Sequence, residues 1–324
     1  MNLRPSAEDF QEARITIQGL VHRTPLFSSR SLSGRAGHPV YLKAENLQKT
    51  GSFKPRGAFN KVRHLPRGKA RRGIITASAG NMGQAVAFVA AHEQIPGVVV
   101  MPEKANPGKV AAVREYGAEA ILHGKLWDDA FARSQELAIE RGLVYVHPFK
   151  DRYVLAGQGT VALEIVEDLP DLDALIGPIG GGGLMAGMAA AIRLQRPSVR
   201  IIGVEPEGSA NMHSSRRQGR CVDLEQVNTI ADGLATRRTD PEVFAMIDEL
   251  VDDLVTVSDD EILEAIRFML ERAKLLAEPG GAAAVAVLLA DKVRLPAGTR
   301  CVAVISGGNL DVAGRLRLAY ETPA

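Results

Sequence analysis

Four short segments of the chain carry residue types that could do chemistry together. The first is Thr50-Gly51-Ser52-Phe53-Lys54-Pro55-Arg56-Gly57-Ala58. Pro55 reads as the first residue of a helix, with Ser52 or Lys54 near its cap. A lysine at that place meets the positive end of the helix dipole, which disfavours the ammonium form. A lowered pKa makes a neutral amine available for a Schiff base. Taken alone, Lys54 is one of 39 lysines and arginines, and such residues are mostly solvated surface charges.

The second segment is Gly180-Gly181-Gly182-Gly183, between an apolar strand and a helix from Leu184. Four bare backbones can turn their N–H groups to an anion, and the helix dipole adds to the pull. No Gly-Lys-Ser/Thr follows, so it is not a Walker loop. It fits a dinucleotide pattern loosely through Gly181, Gly183 and Ala186, with Glu205 ending the next strand where a ribose-binding acid would sit. A tight turn is the plain alternative, but four glycines are an entropic burden that a turn does not need. The third segment, Ser78-Ala79-Gly80-Asn81-Met82-Gly83-Gln84, again joins strand to helix. Its N–H groups could hold a carboxylate and Asn81 a ring hydroxyl, or it could be an ordinary cap. The fourth, Ser306-Gly307-Gly308-Asn309, ends the apolar run Cys301 to Ile305 and could be a simple turn.

The elements that must position these segments follow from periodicity. Short β-branched runs at Ile74–Thr76, Val98–Met101, Ala120–Leu122, Leu143–Val146, Ala174–Ile176, Ile201–Val204 and Val302–Ile305 alternate with longer amphipathic stretches. Helices are expected at Gln84–His92, Lys109–Tyr116 and Leu126–Arg141. The alternation predicts an α/β fold with parallel sheets covered on both faces. The strands are too many for one compact sheet, so two are expected. Val255-Thr256-Val257 runs into Ser258-Asp259-Asp260-Glu261, a capping box opening a scaffold helix through about Leu276. Ligands in such folds bind beyond the carboxyl ends of strands.

Composition narrows the partners. The chain has 324 residues, 46% of them hydrophobic and 24% charged, which suits a globular protein of about two domains. A formal net charge of +1 supplies no global field for nucleic acid or an anionic membrane. No run approaches about 20 apolar residues, and Met1-Asn2-Leu3-Arg4-Pro5 does not open a signal peptide. Cys221 and Cys301 form no Cys-x-x-Cys pair, which fits a reducing compartment. A cytoplasmic enzyme with a small-molecule partner is expected.

Together, in this order, the four segments resemble the fold-type II pyridoxal-phosphate enzymes, and within them the threonine dehydratase and serine racemase family. The run Leu42-Lys43-Ala44-Glu45-Asn46-Leu47-Gln48-Lys49-Thr50-Gly51-Ser52-Phe53-Lys54 is specific to it, as are Ala156-Gly157-Gln158-Gly159-Thr160 and Ala231-Asp232-Gly233. The resemblance extends from Arg23-Thr24-Pro25-Leu26 to Asn309. It implies two doubly wound lobes of the tryptophan-synthase-β-like class, with residues 1–75 and 151–324 forming a large cofactor-binding domain and 76–150 a smaller inserted one. It implies pyridoxal 5′-phosphate as cofactor, with Lys54 as both its Schiff-base lysine and the catalytic base. Gly180, Gly181, Gly182, Gly183 and Leu184 would cradle the phosphate. Asn81 would meet the ring hydroxyl, Phe53 would pack beside the ring, and Ser306 would face the ring nitrogen. A serine there leaves the ring a moderate electron sink, suited to elimination. Ser78, Ala79, Gly80, Asn81 and Met82 would receive the substrate.

Within the family, serine racemases resemble Ser-Ser-Gly-Asn, where the second serine is the opposing acid/base. Ala79 removes that group and favours a dehydratase acting on L-threonine or L-serine. His147-Pro148-Phe149 points the same way. Met82 stands where the family usually has histidine, which leaves room for 3-hydroxyaspartate, phenylserine or a hydroxyectoine-derived compound as substrate. Glu205-Pro206 resembles the start of a monovalent or divalent cation site, but Asn211 replaces a second carboxylate, and the plain alternative is a strand-end acid capping nearby N–H groups. A homodimer or homotetramer is implied, and no feedback domain is expected beyond Asn309. The rival of a different class is a nicotinamide-dependent oxidoreductase using the glycine loop and Glu205.

Overall fold

In the computed structural model, which describes residues 3–311 and 320, ten strands form two sheets. The strands are β1 (Leu26–Ser28), β2 (Val40–Ala44), β3 (Ile74–Ala77), β4 (Gly97–Met101), β5 (Glu119–Leu122), β6 (Val144–Tyr145), β7 (Ala174–Pro178), β8 (Arg200–Pro206), β9 (Asp253–Val257) and β10 (Cys301–Ile305). One sheet runs β1-β2-β10-β7-β8-β9 and the other β5-β4-β3-β6. All pairs are parallel except β1 against β2, an antiparallel edge that the alternation does not announce. Every residue of β3 and β10 is buried, as expected of strands covered on both faces.

The large sheet separates two apolar clusters. On one side Leu155, Ile165, Met185, Met188 and Ile192 come from the helices Arg152–Asp168 and Gly183–Gln195. On the other, the helices Asp259–Phe268 and Pro279–Leu289 supply Ile262, Ile266, Val285 and Val287. The capping box at Ser258 and Glu261 is present. The helix it opens stops at Phe268, not near Leu276. A π-helical turn, Met269–Ala273, follows, and Lys274 takes a left-handed φ of +59°. Met269, Leu275 and Ala277 stay buried through this turn. Redirected in this way, the chain delivers Glu278 to the end of β10, where its N–H bonds Gly307 O at 3.0 Å.

The helix Lys54–Arg63 is docked backbone to backbone. A Cβ on Gly157 would lie 2.5 Å from Arg56 O, and one on Gly57 2.8 Å from Val154 O. The Ala156-Gly157-Gln158-Gly159-Thr160 motif is therefore a close-packing surface. Arg56 locks this contact. It donates from Nε to Glu45 Oε2 and from Nη2 to Glu45 Oε1, both at 2.8 Å, and from Nη1 to Glu164 Oε1 at 2.7 Å. Lys43 Nζ reaches Glu164 Oε2 at 2.6 Å. Burial opposes the Arg56 charge, but the two carboxylates hold its pKa above the usual value. Burial likewise opposes the Glu164 charge, and Arg56 and Lys43 outweigh it.

Removing Arg56 would leave Glu45 buried without a cation and Glu164 with Lys43 alone, a change that typically costs about 3–5 kcal/mol. Arg56→Ala should therefore lower the melting temperature on the order of 10 °C. A melting point within about 2 °C of wild type by calorimetry would show that the network holds nothing in place.

Candidate active site

The four predicted segments meet at the carboxyl ends of their strands. Ser78–Asn81 leaves β3, Gly180–Gly183 leaves β7 and Ser306 leaves β10. Lys54 is joined to them by the backbone: Ser52 bridges Gly307, Phe53 N–H donates to Ser306 O at 3.2 Å, and Gly308 N–H donates to Gly51 O at 2.8 Å. Thr50 takes a left-handed φ of +60° to make this turn. Lys54 itself is the first helical residue, one place earlier than Pro55 was expected to begin the helix, and Phe53 is the cap.

Lys54 is half-buried. Its Nζ donates to Pro148 O at 3.3 Å and lies 4.9 Å from the centroid of the Phe53 ring. Burial lowers its pKa from 10.5 to about 8, while the Glu278 carboxylate pulls the other way. The expected direction holds, but the leading cause is desolvation rather than the helix dipole.

Each glycine of the cradle has a reason. Gly180 backs onto Leu234, whose Cα would be 3.0 Å from an added Cβ. A Cβ on Gly181 would overlap the Phe149 ring, and one on Gly183 would lie 2.8 Å from Phe149 Cβ. Gly182 has φ +92°, and its added Cβ would press on Ile247, Met212 and Val243 at 2.8 Å. The first-turn N–H groups, at Gly183 and Leu184, have no acceptor within their own helix. The loop thus offers backbone donors at a helix start where no side chain can stand, which suits a phosphate.

Phe149 is held against this loop by His147. The imidazole Nδ1 accepts from the N–H groups of Phe149 at 3.2 Å and Lys150 at 2.7 Å, so the proton sits on Nε2. Burial, then the Lys150 charge, pushes His147 down to about 4, leaving it neutral at neutral pH. The same brace turns the Pro148 carbonyl to Lys54.

In the third segment, Ser78 Oγ accepts from Gly80 N–H at 3.1 Å, and Gly80 caps the helix Asn81–Glu93. A Cβ on Gly80 would meet nothing within 4 Å, so the space above this turn is open to a ligand. Ala79 packs its methyl on the cluster of Val99 and Met101. Met82 follows in the first turn of that helix. Its side chain is 2% exposed and packs with Phe59, Val62 and Val86, away from the turn. The second residue of this helix puts its side chain on the core face, so what Met82 presents at the turn is its backbone.

Ser306 is buried, with Oγ 3.4 Å from Gly280 O, a long bond that leaves it able to serve another partner. Two residues beyond the predicted set stand beside it. Glu278 Oε1 accepts from Asn81 Nδ2 at 2.5 Å, and Asn309 Nδ2 donates to Asn81 Oδ1 at 2.8 Å. Burial, then Asp232, raises Glu278 to about 7. The sequence signal for Glu278 was its place before Pro279-Gly280-Gly281, a helix start that the over-extended preceding helix concealed.

Glu205 acts as a strand-end acid that caps nearby N–H groups. Its Oε1 accepts from Met212 N–H at 2.9 Å and its Oε2 from His213 N–H at 2.8 Å. Both oxygens are thus used at the start of the helix Asn211–Gln218. Among the described residues there is no group of three or more His, Cys, Asp or Glu side chains placed to hold a metal ion.

The Lys54 amine can be tested without any ligand. Its neutral, nucleophilic form grows as pH rises through about 8. In cofactor-free protein, labelling of Lys54 by an amine-selective reagent, followed by peptide mass spectrometry, should rise with pH and level off just above that value. A rate still climbing toward 10.5 would mean that burial does not depress this amine.

Residues 17–307 match the family model described as pyridoxal-phosphate dependent enzyme. The chain is 45% identical to an L-threonine ammonia-lyase of Thermotoga maritima, over 94% of this chain and 76% of that one. It is 41% identical to a catabolic L-threonine dehydratase of Escherichia coli, over 96% of this chain and 95% of that one. Its fold superposes on maize serine racemase with a TM-score of 0.93 and 34% identity, covering 98% of each chain. These matches displace the nicotinamide alternative, which Glu205 had motivated and which the commitment of both its oxygens leaves without a ribose acceptor. With that match over most of its length, this chain belongs to the pyridoxal-phosphate dependent enzymes.

Proposed function

We propose that the protein removes water and then ammonia from L-threonine, giving 2-oxobutyrate, with L-serine as a second substrate. The observation that carries this reading is that Lys54, its amine lowered to about 8, is matched by no acid or base at position 79, where Ala79 packs its methyl on Val99 and Met101. A single base supports elimination; racemisation needs two opposed ones. The threonine-directed names of relatives at 45% and 41% identity support the same choice.

The residues present fit the cofactor. Lys54 would hold it, Gly180 to Gly183 and the Leu184 amide its phosphate, Asn81 its hydroxyl and Ser306 its ring nitrogen, with Phe53 beside the ring. Pyridoxal phosphate, when bound, supplies the electron sink that lets a proton leave the substrate α-carbon. The N–H groups of Ser78 to Asn81 receive the substrate carboxylate at the open turn. Lys54 Nζ then takes the α-proton, for which a pKa near the working pH is suited. Pro148 O steadies the amine, and Phe149 closes the glycine side against water.

We take the inserted domain as residues 76–150 and the large one as 1–75 and 151–324. Polar contacts cross between them: Lys109 pairs with Asp232, Asn106 Nδ2 donates to Asp311 at 3.1 Å, and Lys150 pairs with Asp240 at 2.7 Å. These would hold the cleft shut over the reaction. Asp232 belongs to the Ala231-Asp232-Gly233 motif, which thereby gains a role. No described helix is long and apolar enough to cross a membrane. A homodimer or homotetramer in the cytoplasm completes the proposal, on the family resemblance. The core placement of Met82 removes the reason to prefer a bulkier hydroxy-amino acid.

Racemisation of serine is the second reading, favoured by the likeness to the maize enzyme. One experiment separates the two. Protein purified with cofactor should absorb near ~410–420 nm, release 2-oxobutyrate from L-threonine and form no D-serine from L-serine. Lys54→Ala should lose at least about 10²-fold in rate. Protein that stays colourless with added cofactor would sink the proposal, and rapid D-serine formation would hand it to the racemase reading.

A further inference from the structure

The orientation of the Asn81 amide is dictated by its neighbours. Thr50 O can only accept, so Asn309 must turn Nδ2 to it, at 2.7 Å. The same Nδ2 then faces Asn81 Oδ1 at 2.8 Å. That leaves Asn81 Nδ2 against Glu278 Oε1 at 2.5 Å. Flipping the Asn81 amide would set N–H against N–H at Asn309 and oxygen against oxygen at Glu278. Glu278 has little freedom to retreat. Its N–H is bonded to Gly307 O at 3.0 Å, it is 3% exposed, and a side chain at position 307 would collide with its carboxyl.

An Asn side-chain nitrogen carries two hydrogens. We propose that Glu278 is a positioning residue: by taking one hydrogen of Asn81 Nδ2 it turns the other toward the ring hydroxyl of the cofactor held at Lys54. This rests on the Schiff-base reading of Lys54 given above. The groups that act on Glu278 fit the role. Burial and Asp232 disfavour its charge, while Lys109, Asn81 and Lys54 favour it, so the carboxyl sits near the middle of its titration at neutral pH. A carboxyl oxygen accepts in either protonation state, so the orientation needs an acceptor at this place rather than a charge.

The test uses the holoenzyme and reads cofactor affinity and the visible band as well as turnover. Replacing an acceptor for a buried N–H costs roughly a tenfold change in an equilibrium. Glu278→Ala should therefore weaken pyridoxal-phosphate binding about tenfold and move absorbance from the ~410–420 nm band toward shorter wavelength. Glu278→Gln, which retains an oxygen acceptor, should restore affinity to within about threefold and restore the band. Asn309→Ala removes the donor at the other end of the same amide but leaves the Glu278 acceptor, so it should stay closer to wild type than Glu278→Ala in both readouts. Far-UV circular dichroism checks that each variant folds. Two results would overturn the proposal: a folded Glu278→Ala with wild-type affinity and band, or a Gln variant as impaired as the Ala variant. If Glu278→Ala does not fold, Glu278→Met, which keeps the length of the side chain without an oxygen acceptor, decides, and an unchanged band and affinity there overturns it. A wild-type protein that takes up no cofactor would instead overturn the underlying reading of Lys54, and the proposal with it.

Discussion

Arg56 lies two residues beyond Lys54, wholly buried, with its guanidinium between Glu45 and Glu164. Charges so placed are unfavourable singly and tolerable only as a complete set. The set here is complete: Lys43 joins it, and Thr24 Oγ1 donates to Glu45 at 2.5 Å. Its members come from the segment before β1 (Thr24), from β2 (Lys43), from the residue just after it (Glu45) and from two helices (Arg56 and Glu164), so satisfying them fixes where the helix Lys54–Arg63 begins. The glycines at 57 and 157 then let that helix close on its neighbour without side chains between. The position of Lys54 Nζ is a consequence of this anchoring more than of any contact that the lysine makes for itself.

Around that fixed point the fold converges strand ends. The parallel registers of β10 with β2 and with β7 bring Ser306, Lys54 and the glycine loop to one edge. The π-helical turn after Phe268 is the less obvious contribution, because it carries Glu278 to the same edge. Such turns often mark functional places. The electrostatics are consistent throughout: desolvation lowers Lys54 and His147 and raises Glu278, which leaves groups at the site that change charge near neutrality or stay neutral.

Much of this was legible in the sequence, for physical reasons. Continuous β-branched runs do not tolerate exposure, so β3, β4, β7, β8 and β10 were readable, as were the turns that follow them. Strand β1 was not, because three residues with mixed exposure have no period. Met82 misled because proximity in sequence to the substrate turn says nothing about which face of the helix a side chain takes. Glu278 and Asn309 act through contacts spanning 197 and 228 positions with Asn81. No local pattern encodes such pairings. The Lys54 pKa shift was read with the right sign from the helix start, yet its main cause, burial, needs the packed structure.

The central claim is that Lys54, and no other lysine of the chain, carries the cofactor. Borohydride reduction of the purified holoenzyme, followed by proteolysis and peptide mass spectrometry, tests it directly. The account predicts a pyridoxyl-phosphate adduct on the peptide containing Lys54, and its absence in a Lys54→Ala protein prepared in the same way. An adduct on a different lysine, or none on a protein that has turned yellow, would contradict it.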